Sequence, residues 1–144
     1  MGSIQNELAE GIRTVGANAR VLSGTDSDQI LAALRSRFGA GNGARALWED
    51  LSDKASHHNP DAWRWISDYV QDRHCLLATR PSLERAAFEF GSGEDLVKVL
   101  AECSAFEFYV TDKEFSYILC FNHHDYLIAV GSAKNWLQGR VSAT

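Results

Sequence analysis

Residues 120–125 read Cys-Phe-Asn-His-His-Asp, the densest group of reactive side chains in the chain. A thiol, two imidazoles and a carboxylate at this spacing invite two chemistries. Cys120 could act as a nucleophile activated by His124 and oriented by Asp125. Alternatively His123, His124 and Asp125 could ligate a metal, since imidazole is the commonest protein ligand for transition metals. A second pair, His57-His58, extends the metal reading. Each has an opposing argument. Cys120 lies in an apolar run where a thiolate is disfavoured, and adjacent histidines on a strand point to opposite faces. No HExxH, CxxC or Asp-rich calcium loop accompanies them. No Gly-x-Ser-x-Gly elbow is present either. The residues therefore favour a turn shaped by histidines over a catalytic or metal site, and no cofactor is expected.

Three strands must position this turn. Residues 106–110 alternate Phe106, Phe108 and Val110 against Glu107 and Tyr109, the period of two of a half-buried strand. In 115–121, Phe115, Tyr117, Leu119 and Phe121 line one face while Ile118 and Cys120 occupy the other. A strand apolar on both faces belongs inside a sheet covered on each side. Residues 126–130 supply the third strand. Upstream, 75–79 and 85–90 read as a hairpin bent at Pro81, so about five strands are expected.

Helices account for most of the rest. Ile4, Leu8, Ile12 and Val15 recur at helical spacing. A second helix is expected after a Ser27 cap, with Ile30, Leu31, Leu34 and Phe38 on one face and a Gly39-Ala40-Gly41-Asn42-Gly43 ending. That glycine string closes a helix, so it lacks the context of a phosphate-binding loop. Residues 46–51 fit a strand or a helical turn equally. Asn59-Pro60-Asp61 predicts a helix start, with Asn59 as cap and the helix running to Val70. Trp63 and Trp65 lie about 200° apart on such a helix, so both cannot face one core. Ser92 is expected to cap a helix to Glu102, and a last helix begins at Ser132.

The expected class is α+β. N-terminal helices precede a largely antiparallel sheet, with one inserted helix and a short C-terminal helix. One domain is expected over 1–144, with a helical part at 1–45 and a sheet-containing core at 46–140. Hydrophobic residues at 45% and charged residues at 23% are ordinary for a globular protein. The net charge of −5 argues against non-specific nucleic-acid binding, which needs a basic surface. It suits a basic partner instead. No apolar run approaches the length of a membrane span, and MGSIQNELAE has neither the basic end nor the apolar stretch of a secretory signal. Asn6 stands where a myristoylation motif wants Ser or Thr. Three scattered cysteines, Cys75, Cys103 and Cys120, fit a reducing, cytoplasmic setting.

Residues 47–136 resemble a family of small bacterial proteins of unassigned activity. The resembling segments are Leu47-Trp48-Glu49-Asp50, Trp63, Phe106-Glu107-Phe108-Tyr109-Val110, and above all Leu119-Cys120-Phe121-Asn122-His123-His124-Asp125-Tyr126-Leu127-Ile128. The layout is also similar to SUKH-type and other immunity proteins of polymorphic toxin systems. That resemblance implies a non-catalytic cytoplasmic protein that neutralises a cognate toxin domain, expected to be basic, by direct binding. Glu107, Asp112, Glu114, His123, His124 and Asp125 are the expected partner-binding residues. The alternatives are a small metal- or thiol-dependent enzyme built on Cys120, His123, His124 and Asp125, and a general ligand-binding or adaptor domain with a concave apolar pocket.

Overall fold

The computed structural model describes residues 3–40, 43, 45–80 and 84–142. Its centre is a seven-stranded, fully antiparallel sheet in the order β1-β4-β3-β5-β6-β7-β2. The strands are β1 (Ala19–Leu22), β2 (Ala55–His58), β3 (Cys75–Thr79), β4 (Ala87–Phe90), β5 (Phe108–Thr111), β6 (Tyr117–Phe121) and β7 (Tyr126–Gly131). The helices are α1 (Ser3–Val15), α2 (Gly24–Phe38), α3 (Leu47–Asp50), α4 (Ile66–Val70), α5 (Gly93–Leu100) and α6 (Ser132–Ser142). The class is α+β, as expected from the sequence, with two more strands than the five anticipated.

Strand alternation divides the core into two layers. On one face Cys75, Leu77, Phe88, Phe90, Val110 and Leu119 pack under α1, α4, α5 and α6. On the other, Leu76, Ala78, Ala87, Tyr109, Ile118 and Ile128 pack under α2 and α3. β6 is buried at all five positions and sits between β5 and β7, the interior place its two apolar faces require. Each Leu or Phe fully removed from water here contributes about 2 kcal/mol.

Both additional strands are edges. β1 lies within the N-terminal part expected to be helical, and it carries the chain from α1 on one face to α2 on the other. β2 reads Ala-Ser-His-His, with no apolar alternation, and is held by pairing to β7. The first strand also departs from expectation. Glu107 and Tyr109, expected on the polar side, are both buried, because α2 and α3 cover that face.

Helix starts follow local chemistry. Ser23 caps α2 in a capping box with Asp26. Ser27 is therefore one turn inside the helix, buried, with its hydroxyl donating to the Ala86 carbonyl at 3.2 Å. Residues 47–50 resolve the open choice as a helical turn. Asn59 does not open an α-helix: its side chain accepts from the Asp61 amide, a 3-10 turn occupies Ala62–Trp65, and α4 follows. Trp63 and Trp65 are both half-buried against the core, one beneath Arg64 and the other beneath Arg140. Ser92 caps α5 as expected, accepting from the Asp95 amide. Gly131 joins β7 to α6 at φ 67°, where an added Cβ would strike the Ser116 carbonyl oxygen. Pro81, Gly41 and Asn42, named for the hairpin bend and the glycine string, lie outside the described residues.

Candidate functional site

The β6–β7 turn is built by Asn122. Its buried side-chain oxygen accepts from the amides of His124 (3.0 Å) and Tyr126 (3.1 Å). Its own amide donates to the Tyr126 carbonyl, and its carbonyl accepts from the Asp125 amide. Asp125 closes the turn at φ 63°, a conformation Asp tolerates better than most residues. The backbone is thus fixed by one asparagine, leaving His123 and His124 exposed at its tip.

The two imidazoles do not hang free. Their ring centroids are 3.9 Å apart, and each stands 5.9 Å from the Trp48 indole in an edge-on arrangement. Trp48 comes from α3, whose position is fixed partly by the Tyr109 hydroxyl, which accepts from the Trp48 amide at 3.1 Å. Beneath His123 lies Glu107, 2 % exposed. Its Oε1 is 2.9 Å from His123 Nδ1 and accepts from the His123 amide at 3.3 Å. Its Oε2 accepts no hydrogen bond among the described residues, and Arg80 Nη1 stands 3.9 Å away. At the adjoining edge, His58 faces Tyr126 across the β2–β7 pair with rings 5.0 Å apart, and Tyr126 is 40 % exposed. The surface formed by His58, Trp48, His123, His124 and Tyr126 sets three imidazoles beside a Trp and a Tyr, the latter two being residue types enriched in binding hot spots.

The structure disperses the candidate catalytic group. Cys120 is 0 % exposed, and burial, with the charge of Glu107 adding, pushes its thiol far above the usual range. Cys120 points to the α2/α3 face. Asp125 instead lines a groove on the opposite face with Pro60, Trp63, Phe106 and Phe121. A nucleophile–base–acid line through these residues does not form. Among the described residues, no three His, Cys, Asp or Glu side chains are grouped to hold a metal. The other cysteines are no better placed as nucleophiles: burial raises Cys75 to about 12 and Cys103 to about 11.

The expected partner-binding residues also separate. Glu107, His123, His124 and Asp125 sit at one end of the sheet, where β6 ends. Asp112 and Glu114 sit at the other, in the β5–β6 turn. There the Asp112 carboxylate accepts from the Ser116 amide at 2.9 Å and from its hydroxyl. The five residues of β6 separate the two turns by about 17 Å. Glu107 is corrected from an exposed acidic contact to a buried support for His123. Trp48, Asn122, Tyr126 and Arg80 were not singled out from sequence as site residues. Only Asn122 had a readable signal: an Asn opening a polar turn that hydrogen-bonds the backbone two residues on.

No helix among the described residues is long and apolar enough to cross a membrane. Comparison with protein-family profiles, curated proteins and solved structures finds no match for this chain.

Proposed function

We propose that this protein is a non-catalytic binding protein of the immunity type, acting in the cytoplasm to neutralise a toxin domain by direct contact. The observation carrying the reading is the rigid, solvent-facing His123–His124 tip seated on Trp48, with the nearest thiol sealed beneath it. Pre-organised aromatic and imidazole groups favour recognition, because little side-chain freedom is lost on binding. The resemblance of residues 47–136 to immunity proteins supports a toxin as the partner, and the net charge of −5 suits a basic one.

The interface proposed is the β6–β7 end: His123, His124, Asp125 and the neighbouring Tyr126 and His58. A standard interface covers about 800 Å² on each partner. Asp112 and Glu114, at the far end, then belong to its margin or lie outside it. The test is co-expression with the toxin encoded beside this gene, followed by measurement of survival and of the complex. Support is protection that His123→Ala/His124→Ala reduces at least tenfold while Glu114→Lys changes it little. Full protection by the double variant would move the interface elsewhere. Absence of both protection and binding would remove the immunity reading.

A further inference from the structure

Beside Glu107, on the α2/α3 face, lies a cleft of about 520 Å³ whose lining includes Leu31, Leu47, Tyr109, Arg35, Arg45 and Arg80. Its size falls within the range of small-molecule sites. Leu31, Leu47 and Tyr109 are buried core residues and give it an apolar floor. Its ionised groups are mainly cationic, in a protein that is acidic overall.

The three arginines are held differently. The buried carboxylate of Asp50 receives Arg35 Nη1 at 2.6 Å, Arg45 Nη2 at 2.8 Å and Arg45 Nε at 3.0 Å. Hydrogen bonds from Arg35 and then Arg45 keep that carboxyl below its ordinary value. One buried carboxylate thus orients two guanidinium groups and offsets one of their two charges. Glu49, on the exposed side of α3, is 4.0 Å from Arg45. Arg80 has no such clamp. Among the described residues its guanidinium donates no hydrogen bond, and it is ion-paired with Glu107 Oε2 at 3.9 Å. Asp28 also lines the cleft, but its carboxylate is engaged bidentately by Arg85. A guanidinium fork with no hydrogen bond among the described residues, sharing a cleft with two carboxylate-held arginines above an apolar floor, matches a particular ligand shape.

We propose that this cleft binds a small amphipathic anion, an apolar body bearing one carboxylate or phosphate. The anionic group lies on Arg80, in the cleft that Arg35 and Arg45 also line, and the body rests on Leu31, Leu47 and Tyr109. The site is separate from the turn surface proposed for a protein partner, and it stands whether or not the protein neutralises a toxin.

The test uses phenyl phosphate as the probe, with inorganic phosphate and benzyl alcohol as halves of it, in calorimetric titration and by NMR shifts of Leu31, Leu47 and Tyr109. Phenyl phosphate is expected to bind more tightly than either half, at least tenfold, and to shift those three residues. Arg80→Gln should weaken it tenfold or more, and Arg80→Lys should restore part of the loss. Arg80→Gln forfeits no hydrogen bond among the described residues but takes the cation from buried Glu107, so its folding is checked by urea denaturation beside the titration. Should that variant not fold, Ala32→Glu places a repelling charge on the exposed, cleft-lining side of α2 and must weaken binding comparably. Three results overturn the proposal: binding of phenyl phosphate weaker than about 10 mM, equal binding of benzyl alcohol, or affinity unchanged by Arg80→Gln and Ala32→Glu.

Discussion

Two glutamates are buried on the same face of the sheet, near opposite ends, and they are treated very differently. Glu89, in β4, is 6 % exposed and flanked by two cations and an imidazole. Arg20 Nη2 reaches it at 2.7 Å, Lys113 Nζ at 3.1 Å and His74 Nδ1 at 3.2 Å. The hydrogen bond from His74, joined by those from Lys113 and Arg20 against the cost of burial, lowers its carboxyl to about 2. Glu107 is buried at least as deeply, yet one oxygen takes its hydrogen bonds from His123 and the other takes none among the described residues. Glu89 ties edge strand β1 and the β5–β6 turn to the sheet. Glu107 supports an exposed imidazole and adjoins a cleft. A saturated buried charge serves the fold, whereas an unsaturated one marks where the fold has left room for something else.

The sharpest way to break this contrast is to remove each charge in turn. Glu89→Gln is expected to cost about 3 kcal/mol, since it takes the shared partner from two cations and an imidazole. Glu107→Gln is expected to cost less than about 1 kcal/mol, since the amide oxygen can still accept from His123 and a poorly paired buried charge disappears. Urea denaturation of the two variants checks both values, and equal losses would end the distinction. Titration adds a signature. Glu89 is lowered in the folded state from 4.5 to about 2, so its contribution is fully present above pH 4.5 and is lost as the pH falls toward 2. The stability gap between wild type and Glu89→Gln should therefore shrink by about 3 kcal/mol across that window. A gap constant from pH 7 to pH 2.5 would show that the three neighbouring groups do not hold the charge.

Much of this contrast was hidden in the sequence. The apolar pattern of 115–121 carried the interior strand, because two apolar faces have no other stable place. Ser92 carried a helix start through side-chain chemistry a few residues long. The edges were not legible. Ala-Ser-His-His has no strand signal of its own and becomes β2 only through pairing with β7, an interaction about 70 residues distant in the chain. Glu107 alternated correctly with Phe106 and Phe108, so the strand was readable, but what covers each face depends on where α2 and α3 return. The same limit applies to the site. His123 and His124 were visible as a pair, but Trp48 beneath them comes from a separate element, and the distance of Cys120 from Asp125 follows from which face each one meets.

A smaller effect tests whether Glu107 and His123 form a unit. A double-mutant cycle with Glu107→Ala, which removes the acceptor, and His123→Ala is expected to give a coupling of about 1 kcal/mol, because one partner is buried and the other about half exposed. In the same preparations, His123→Ala should weaken partner binding without a comparable loss of stability. Additive effects would mean that Glu107 does not hold the imidazole in place.

The smallest expected effect concerns redundancy. Lys113 has a side chain 60 % exposed, and Arg20 and the His74 imidazole remain on Glu89 when it is removed. Lys113→Ala should therefore cost only about 0.5 kcal/mol, the scale of an exposed pair, even though its partner is buried. Glu107 Oε2 faces Arg80 alone, so no second guanidinium can take over that position. If the difference between the two glutamates lies in how many cations share each one, removing Arg20 together with Lys113 should cost more than the sum of the single losses. The pair would then leave Glu89 resembling Glu107, with a single remaining imidazole for a buried carboxylate. Additivity in that cycle would mean that each cation acts independently, and that the apparent saturation of Glu89 is three weak contacts rather than one shared site.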